Sequence, residues 1–384
     1  MNPLTFNHPG KPELADILRL SGDGLSRERP LHPVQYKALS DLTRCRTALL
    51  GGHLSRCDQC GHQKLAYNSC RNRHCPKCQL LRQHQWADGL QSRLLPTPYF
   101  HLVFTLPHQL NALVYLNQQL LYELLFRSAW QSLQQAALNP RFLGARPGAM
   151  AILHTWGATL SYHPHLHLLV PAGGISEDGM EWTRSPRSFF VPRKALAGMF
   201  RGIFVRGLAR LWAEGRIRIP DGTPPPHCLK RQLYLNPWNV HLEKVRPGVQ
   251  SVVDYLSRYT HRVAISNHRI LKVADGQVCF AYKDHRDGQH KRMRLSVTEF
   301  SRRFLQHILP RGFTRIRYYG LLAPACAVVL QQALALIGKA RPWPRLDGLN
   351  TMELLRMLTG RDPLVCPICH KGRMLRFRVI ESSA

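Results

Sequence analysis

Three sets of side chains in this 384-residue chain carry chemistry by their types and spacing. The first is cysteine. Cys57-x-x-Cys60 and Cys75-x-x-Cys78 are two knuckles, and each can present two thiolates to a tetrahedral zinc. Cys45, His53, Cys70 and His74 stand around them, enough ligands for a second site. One pattern pairs Cys45/His53 with Cys70/His74 and the two knuckles with each other, with His62 as an alternative ligand. No carboxylate or open position is implied, so the expected zinc, one ion or two, is structural and needed for folding. The second set is His163-Pro-His165-Leu-His167. On a strand, His165 and His167 share one face while Leu166 points into the core. Two such imidazoles can grip one divalent ion, and a hairpin would bring His154 from the preceding strand as third ligand. The third set is Tyr255-Leu-Ser-Arg-Tyr259, where a helix puts both phenols on one face. They are either paired nucleophiles or an aromatic stripe on the core. The neighbouring Arg258, His261 and Arg262 suit phosphate better than a core.

Composition says what these groups act on. Lys plus Arg total 53 against 23 acidic residues, a net charge of +30. Folding does not need that excess, and self-repulsion makes it costly. It points to a polyanionic partner, nucleic acid before anionic membrane. Arg71, Arg73 and Lys77 among the zinc ligands, together with Lys283 and Arg286, are the expected DNA contacts. The segment 283–317 holds ten Lys or Arg, and with Tyr282, Phe300 and Phe313 it reads as a phosphate-tracking surface. Six of the eleven cysteines fall between Cys45 and Cys78, which is metal-ligand spacing in a reducing compartment. The start MNPLTFNHPGKPEL lacks the order of a signal peptide. The uncharged run 320–338 contains Pro324 and Gln331–Gln332, so it reads as a buried helix after a loop. The expected location is cytoplasmic.

The elements that must position these groups follow from periodicity. A loose leader with one short helix (1–30) precedes a His/Cys-rich module (31–95) and a larger domain (97–320). A basic C-terminal region (321–384) carries its own Cys-x-x-Cys. Strand-like runs start at Tyr99 and cover 149–156, 165–170, QLYLNPW (232–238) and a hairpin at 268–283. Helical stretches cover about 110–137, 193–214, 249–259 and 297–308. The fold class is α+β with an antiparallel sheet.

The ordered set of zinc knuckles, FHLVFTLP, HTWGATLSYHPHLHLLV, YLSRYTHRVAISN and AYKDHRDGQHKRMRLSVTEFSRRFLQHILPRGFTRIRYYG resembles rolling-circle transposases of bacterial insertion sequences. These are similar to the two-tyrosine branch of the HUH endonuclease superfamily, and the resemblance spans about 45–320. It implies a central antiparallel sheet carrying His165 and His167 as metal ligands, with the helix of Tyr255 and Tyr259 laid across it. His154 is placed by geometry, helped by an eleven-residue lead over His165 like that of the relaxase branch. The implied ion is Mg²⁺ or Mn²⁺, though three imidazoles also accept Zn²⁺. The implied chemistry is attack of a tyrosine on single-stranded DNA, leaving a 5′-phosphotyrosine and a free 3′-hydroxyl. The alternatives are a replication initiator or relaxase with the same chemistry, or a non-enzymatic zinc-dependent DNA-binding protein. The zinc module and the absence of GxxxxGK[ST] favour the transposase. One departure from the pattern is Cys366-x-x-Cys369-His370, which resembles half of a zinc ribbon with no evident second knuckle.

Overall fold

The structure, a computed structural model, describes residues 11–22, 25, 30–91, 93–186, 189–245, 251, 263–284, 287–338, 345–346 and 348–382. Its N-terminal part contributes α1 (Leu14–Ser21), α2 (Pro33–Arg44), a hairpin of β1 (Gly52–Cys57) and β2 (Gln63–Tyr67), and α3 (Gln79–Gln91). Of the expected leader the structure describes residues 11–22, 25 and 30, and they hold the one short helix, α1, packed on its neighbours. Leu14, Ile17 and Leu18 recur at helical spacing on one buried face, and Glu13 and Asp16 form a capping box.

β3 (Tyr99–Thr105), α4 (Gln118–Leu138), β4 (Gly148–Trp156) and β5 (Tyr162–Pro171) follow, then a small hairpin of β6 (Gly173–Ile175) and β7 (Trp182–Arg184). Next come α5 (Arg193–Ala213), α6 (Pro226–Leu235) and β8 (Asn239–Lys244). The run QLYLNPW is not the expected strand: its first four residues close α6, and β8 begins only at Asn239. Leu229 and Leu233, four apart and both buried, gave that segment a helical period that a short window did not separate from alternation.

The last described elements include β9 (Ile270–Ala274), β10 (Gln277–Lys283), β11 (His290–Ser296), α7 (Val297–Leu305), β12 (Ile316–Gly320), α8 (Ala327–Ile337) and, after a helix over Thr351–Thr359, β13 (Met374–Ile380). A central antiparallel sheet runs β12-β4-β5-β3-β8. One face buries Phe100, Leu102, Phe104, Leu153, Leu166 and Leu168 in a core shared with α4 and α5. The opposite face carries Tyr99, Met150, Ile152 and Leu169 packed against Leu90 of α3. Burial on both faces explains why these strands read as nearly unbroken apolar runs.

A second sheet, β11-β10-β9, packs Val278 and Phe280 into a core with α7, α1 and α2 that also takes in Cys45 and Cys75. The N-terminal segment and residues 264–308 therefore share one core. Phe300 and Phe313 are buried, so they are packing residues and not part of the phosphate-tracking surface expected over 283–317. A third sheet, β13-β1-β2, brings the far end of the chain onto the N-terminal hairpin. Among the described residues no helix is long and apolar enough to cross a membrane.

Candidate metal centres

Register on the central sheet decides the first centre. β4 and β5 pair so that His154 faces His165 and Ile152 faces His167, which puts all three imidazoles on one face. One nitrogen from each ring lies within 4.8 Å of the others. His154 and His167 are buried and His165 is half-buried. Nδ1 of His165 donates to the His163 carbonyl at 2.6 Å, which leaves Nε2 with its lone pair for a ligand. Nδ1 of His167 is 2.8 Å from Nε2 of His101, and the two rings stack within 4° of parallel. His101 lies on β3 two residues from Val103, the register partner of His167, so it shares the face. Its own register partner on β8 is Glu243. His154 is backed by Trp156, ring centroids 4.6 Å apart.

Burial depresses the imidazole pKa values, to about 4 for His165 and about 3 for His101, where His241 and His165 nearby add to the effect. The rings are neutral at pH 7 and able to bind metal. Three convergent nitrogen donors suit a divalent ion. Two of them are already oriented through their second nitrogen, as metal-bound histidines usually are. The residues fit a metal.

Cysteine forms the other centres, in a grouping different from the expected one. Cys75 and Cys78 gather with Cys45 and Cys70, all four sulfurs lying within 4.8 Å of one another. The Cys45–Cys78, Cys45–Cys75 and Cys70–Cys78 separations are 3.5, 3.6 and 3.7 Å. A tetrahedral zinc with bonds of ~2.3 Å sets sulfurs about 3.8 Å apart. Hydrogen bonds from Cys70 and Cys75 hold the Cys45 thiol down at about 7, close to thiolate form. The Cys57/Cys60 knuckle does not pair with Cys75/Cys78. It meets Cys366 and Cys369 instead, at 3.7 Å for Cys57–Cys369 and 3.6 Å for Cys60–Cys366.

His53 and His74 belong to neither group. His53 sits inside β1 between Val379 and Ala66, whereas Cys57 closes that strand. His74 is half-buried and turned to the chain at Leu309, whose amide donates to its Nε2 at 3.4 Å. Burial, then the charges of Arg73 and Arg315, keep it neutral. His62 contributes its carbonyl to the Cys57 amide.

Two expected DNA contacts are used inside the protein. Arg73 donates to the carbonyls of Phe313 (2.6 Å) and Pro310 (3.0 Å), and Lys77 pairs with Glu13. Both dock the cysteine module on its neighbours. Arg71 is exposed in the left-handed region (φ 54°). Lys283 is exposed at the end of β10, on the sheet face that also presents Arg292 and Arg294. Tyr255, Tyr259, Arg258, Arg262 and Arg286 lie outside the described residues.

Residues 148–328, which include the three-histidine hairpin, match a family described as "Putative transposase". Residues 17–106 match the "Transposase zinc-binding domain". The chain is 42% identical over 383 residues to "Putative transposase y4qJ" of Sinorhizobium fredii (strain NBRC 101917 / NGR234), covering 96% of each chain. It is 32% identical over 359 residues to the "Transposase for insertion sequence element IS801" of Pseudomonas savastanoi pv. phaseolicola, covering 90% of this chain and 84% of that one. No solved structure matches.

Proposed function

The chain belongs to the insertion-sequence transposases of the IS91/IS801 type, and on that premise we propose that it nicks and rejoins single-stranded DNA in rolling-circle transposition, through a covalent phosphotyrosine. The observation that carries the reading is the cluster of His154, His165 and His167 on one face of an antiparallel sheet. A Mg²⁺ or Mn²⁺ ion bound there would polarise a non-bridging oxygen of the scissile phosphate. The protein's share is to hold the three imidazoles in place, with His101 and the His163 carbonyl fixing two of the rings.

Tyr255 and Tyr259 are the proposed nucleophiles. The phenolate oxygen of one bonds to phosphorus, and the bond to the 3′-oxygen breaks. That oxygen leaves with the electron pair and takes up a proton. Bond energy is kept in the phosphotyrosine, so a 3′-hydroxyl can reverse the step without ATP. Two tyrosines allow two such transfers, at the element end and at the target. The net charge of +30 supports DNA as partner and association with the bacterial nucleoid.

The test is an incubation with Mg²⁺ or Mn²⁺ and single-stranded DNA from the end of the element, read as a denaturation-resistant adduct. The double change Tyr255→Phe/Tyr259→Phe keeps both rings and removes both nucleophiles. It should abolish adduct and nicking at an unchanged melting temperature, and an adduct from that variant would refute the mechanism. His165→Ala and His167→Ala should stop nicking and leave DNA binding nearly intact.

A further inference from the structure

We propose that Cys57, Cys60, Cys366 and Cys369 hold a second structural zinc that fastens the far end of the chain to the N-terminal hairpin. The match to the transposase zinc-binding domain ends at residue 106, so it does not include the second knuckle. The cross-pairs at 3.6 and 3.7 Å fit a tetrahedral thiolate site as closely as the first four cysteines do. Backbone amides point at the sulfurs: Gln59 and Cys60 at Cys57, Ile368 at Cys366, Gly372 at Cys369, all between 3.4 and 3.5 Å. Such donors stabilise thiolate over thiol. At Gly372 a Cβ would lie 2.4 Å from the Cys57 sulfur, so the close wrap of one knuckle on the other requires glycine.

The surrounding sheet shows why a metal is needed. In β13 only Met374 is buried, while Leu375, Phe377 and Val379 are 56%, 48% and 68% exposed. The buried cluster here is Cys57, Cys366 and Met374, with Cys369 packed against it. A three-stranded sheet with so small a core is marginal in water, and zinc ligation supplies the missing folding energy. Four thiolates and no open position make the site structural.

Cobalt replacement in the full-length protein tests this, because thiolate-to-cobalt charge transfer reads sulfur ligands and ignores any ion on the histidines. Wild type should show two tetrathiolate sites. Cys366→Ser/Cys369→Ser should lose about half the intensity, one closed site of two. Cys45→Ser/Cys70→Ser should lose the other half. Amide exchange in the first variant should quicken in 52–57 and 374–380. Wild-type intensity in Cys366→Ser/Cys369→Ser would overturn the proposal. Should that variant be insoluble, native mass spectrometry of His165→Ala/His167→Ala, which leaves only the cysteine groups, decides: a single zinc overturns it, and two sustain it.

Discussion

The three histidines of the central sheet and the four cysteines between β1 and β13 each bring their donor atoms within 4.8 Å of one another, yet their surroundings are opposite. The histidines project from strands whose other face buries Leu153, Leu166 and Leu168 against two long helices. Their spacing follows from a hydrophobic core built of apolar side chains. The cysteines hold together strands that bury almost nothing else. There the ligands come first and the packing follows. A site meant to exchange substrate and keep its geometry is best built on a core. A site that only has to hold two segments together can replace one.

Zinc removal is the strongest way to break this contrast. Chelation, or Cys45→Ser for the first cysteine group, should unfold the surrounding segment while β3, β4 and β5 keep their amide protection. Zinc binding in small thiolate modules contributes on the order of 10–16 kcal/mol of folding free energy. Uniform loss of protection across both regions would show that the central sheet also depends on zinc.

Acid acts on the other half. His165 and His307 titrate at about 4 in the folded protein because burial disfavours the imidazolium, against ~6.5 when unfolded. A depressed pKa contributes stability that is complete above pH ~6.5 and is lost as pH falls towards 4. In zinc-stripped protein, where the remaining cooperative transition reports the central sheet, the denaturation midpoint should be flat above 6.5 and fall steadily below it. A midpoint unchanged down to pH 4 would contradict the buried neutral rings.

The smallest effect sharpens the comparison most. His101→Phe fills the same space but cannot hydrogen-bond Nδ1 of His167. It should weaken Mn²⁺ binding about 10–100-fold, read by paramagnetic resonance titration, with His101→Gln restoring part of it. Wild-type affinity in the phenylalanine variant would mean that the core alone orients the ligands.

The sequence made some of this readable. Two strand-like runs joined by a short polar connection gave the hairpin that brings His154 beside His165, and the alternation of side chains along a strand gave the face that His165 and His167 share. His101 is absent from the ligand set expected from the sequence, although the sequence carries its signal. It is a polar residue inside FHLVF, opposite in parity to Phe100, Leu102 and Phe104, and a buried polar group needs a partner. The cysteine grouping was not legible. Knuckle spacing fixes which two thiols act together but not which knuckle they meet, and the partner of Cys57-x-x-Cys60 stands at the other end of the chain. The assignment of Phe300 and Phe313 to a DNA surface failed because aromatic residues among arginines look alike whether they face solvent or core.

The pairing of β1 with β13 also sets a clock. Cys57 and Cys60 are separated from the cysteines they meet by 312 and 306 residues. At a synthesis rate of ~5–20 residues per second, the first knuckle waits roughly 15–60 s for the second to emerge. Through that interval β1 has β2 for a neighbour but a bare edge where β13 belongs, the kind of edge that recruits other strands. The ribbon can close only once the histidine sheet has already been made. A chain cut short by a nonsense codon would carry an open knuckle and an unpaired strand, marks that a quality-control protease could read before any DNA is touched.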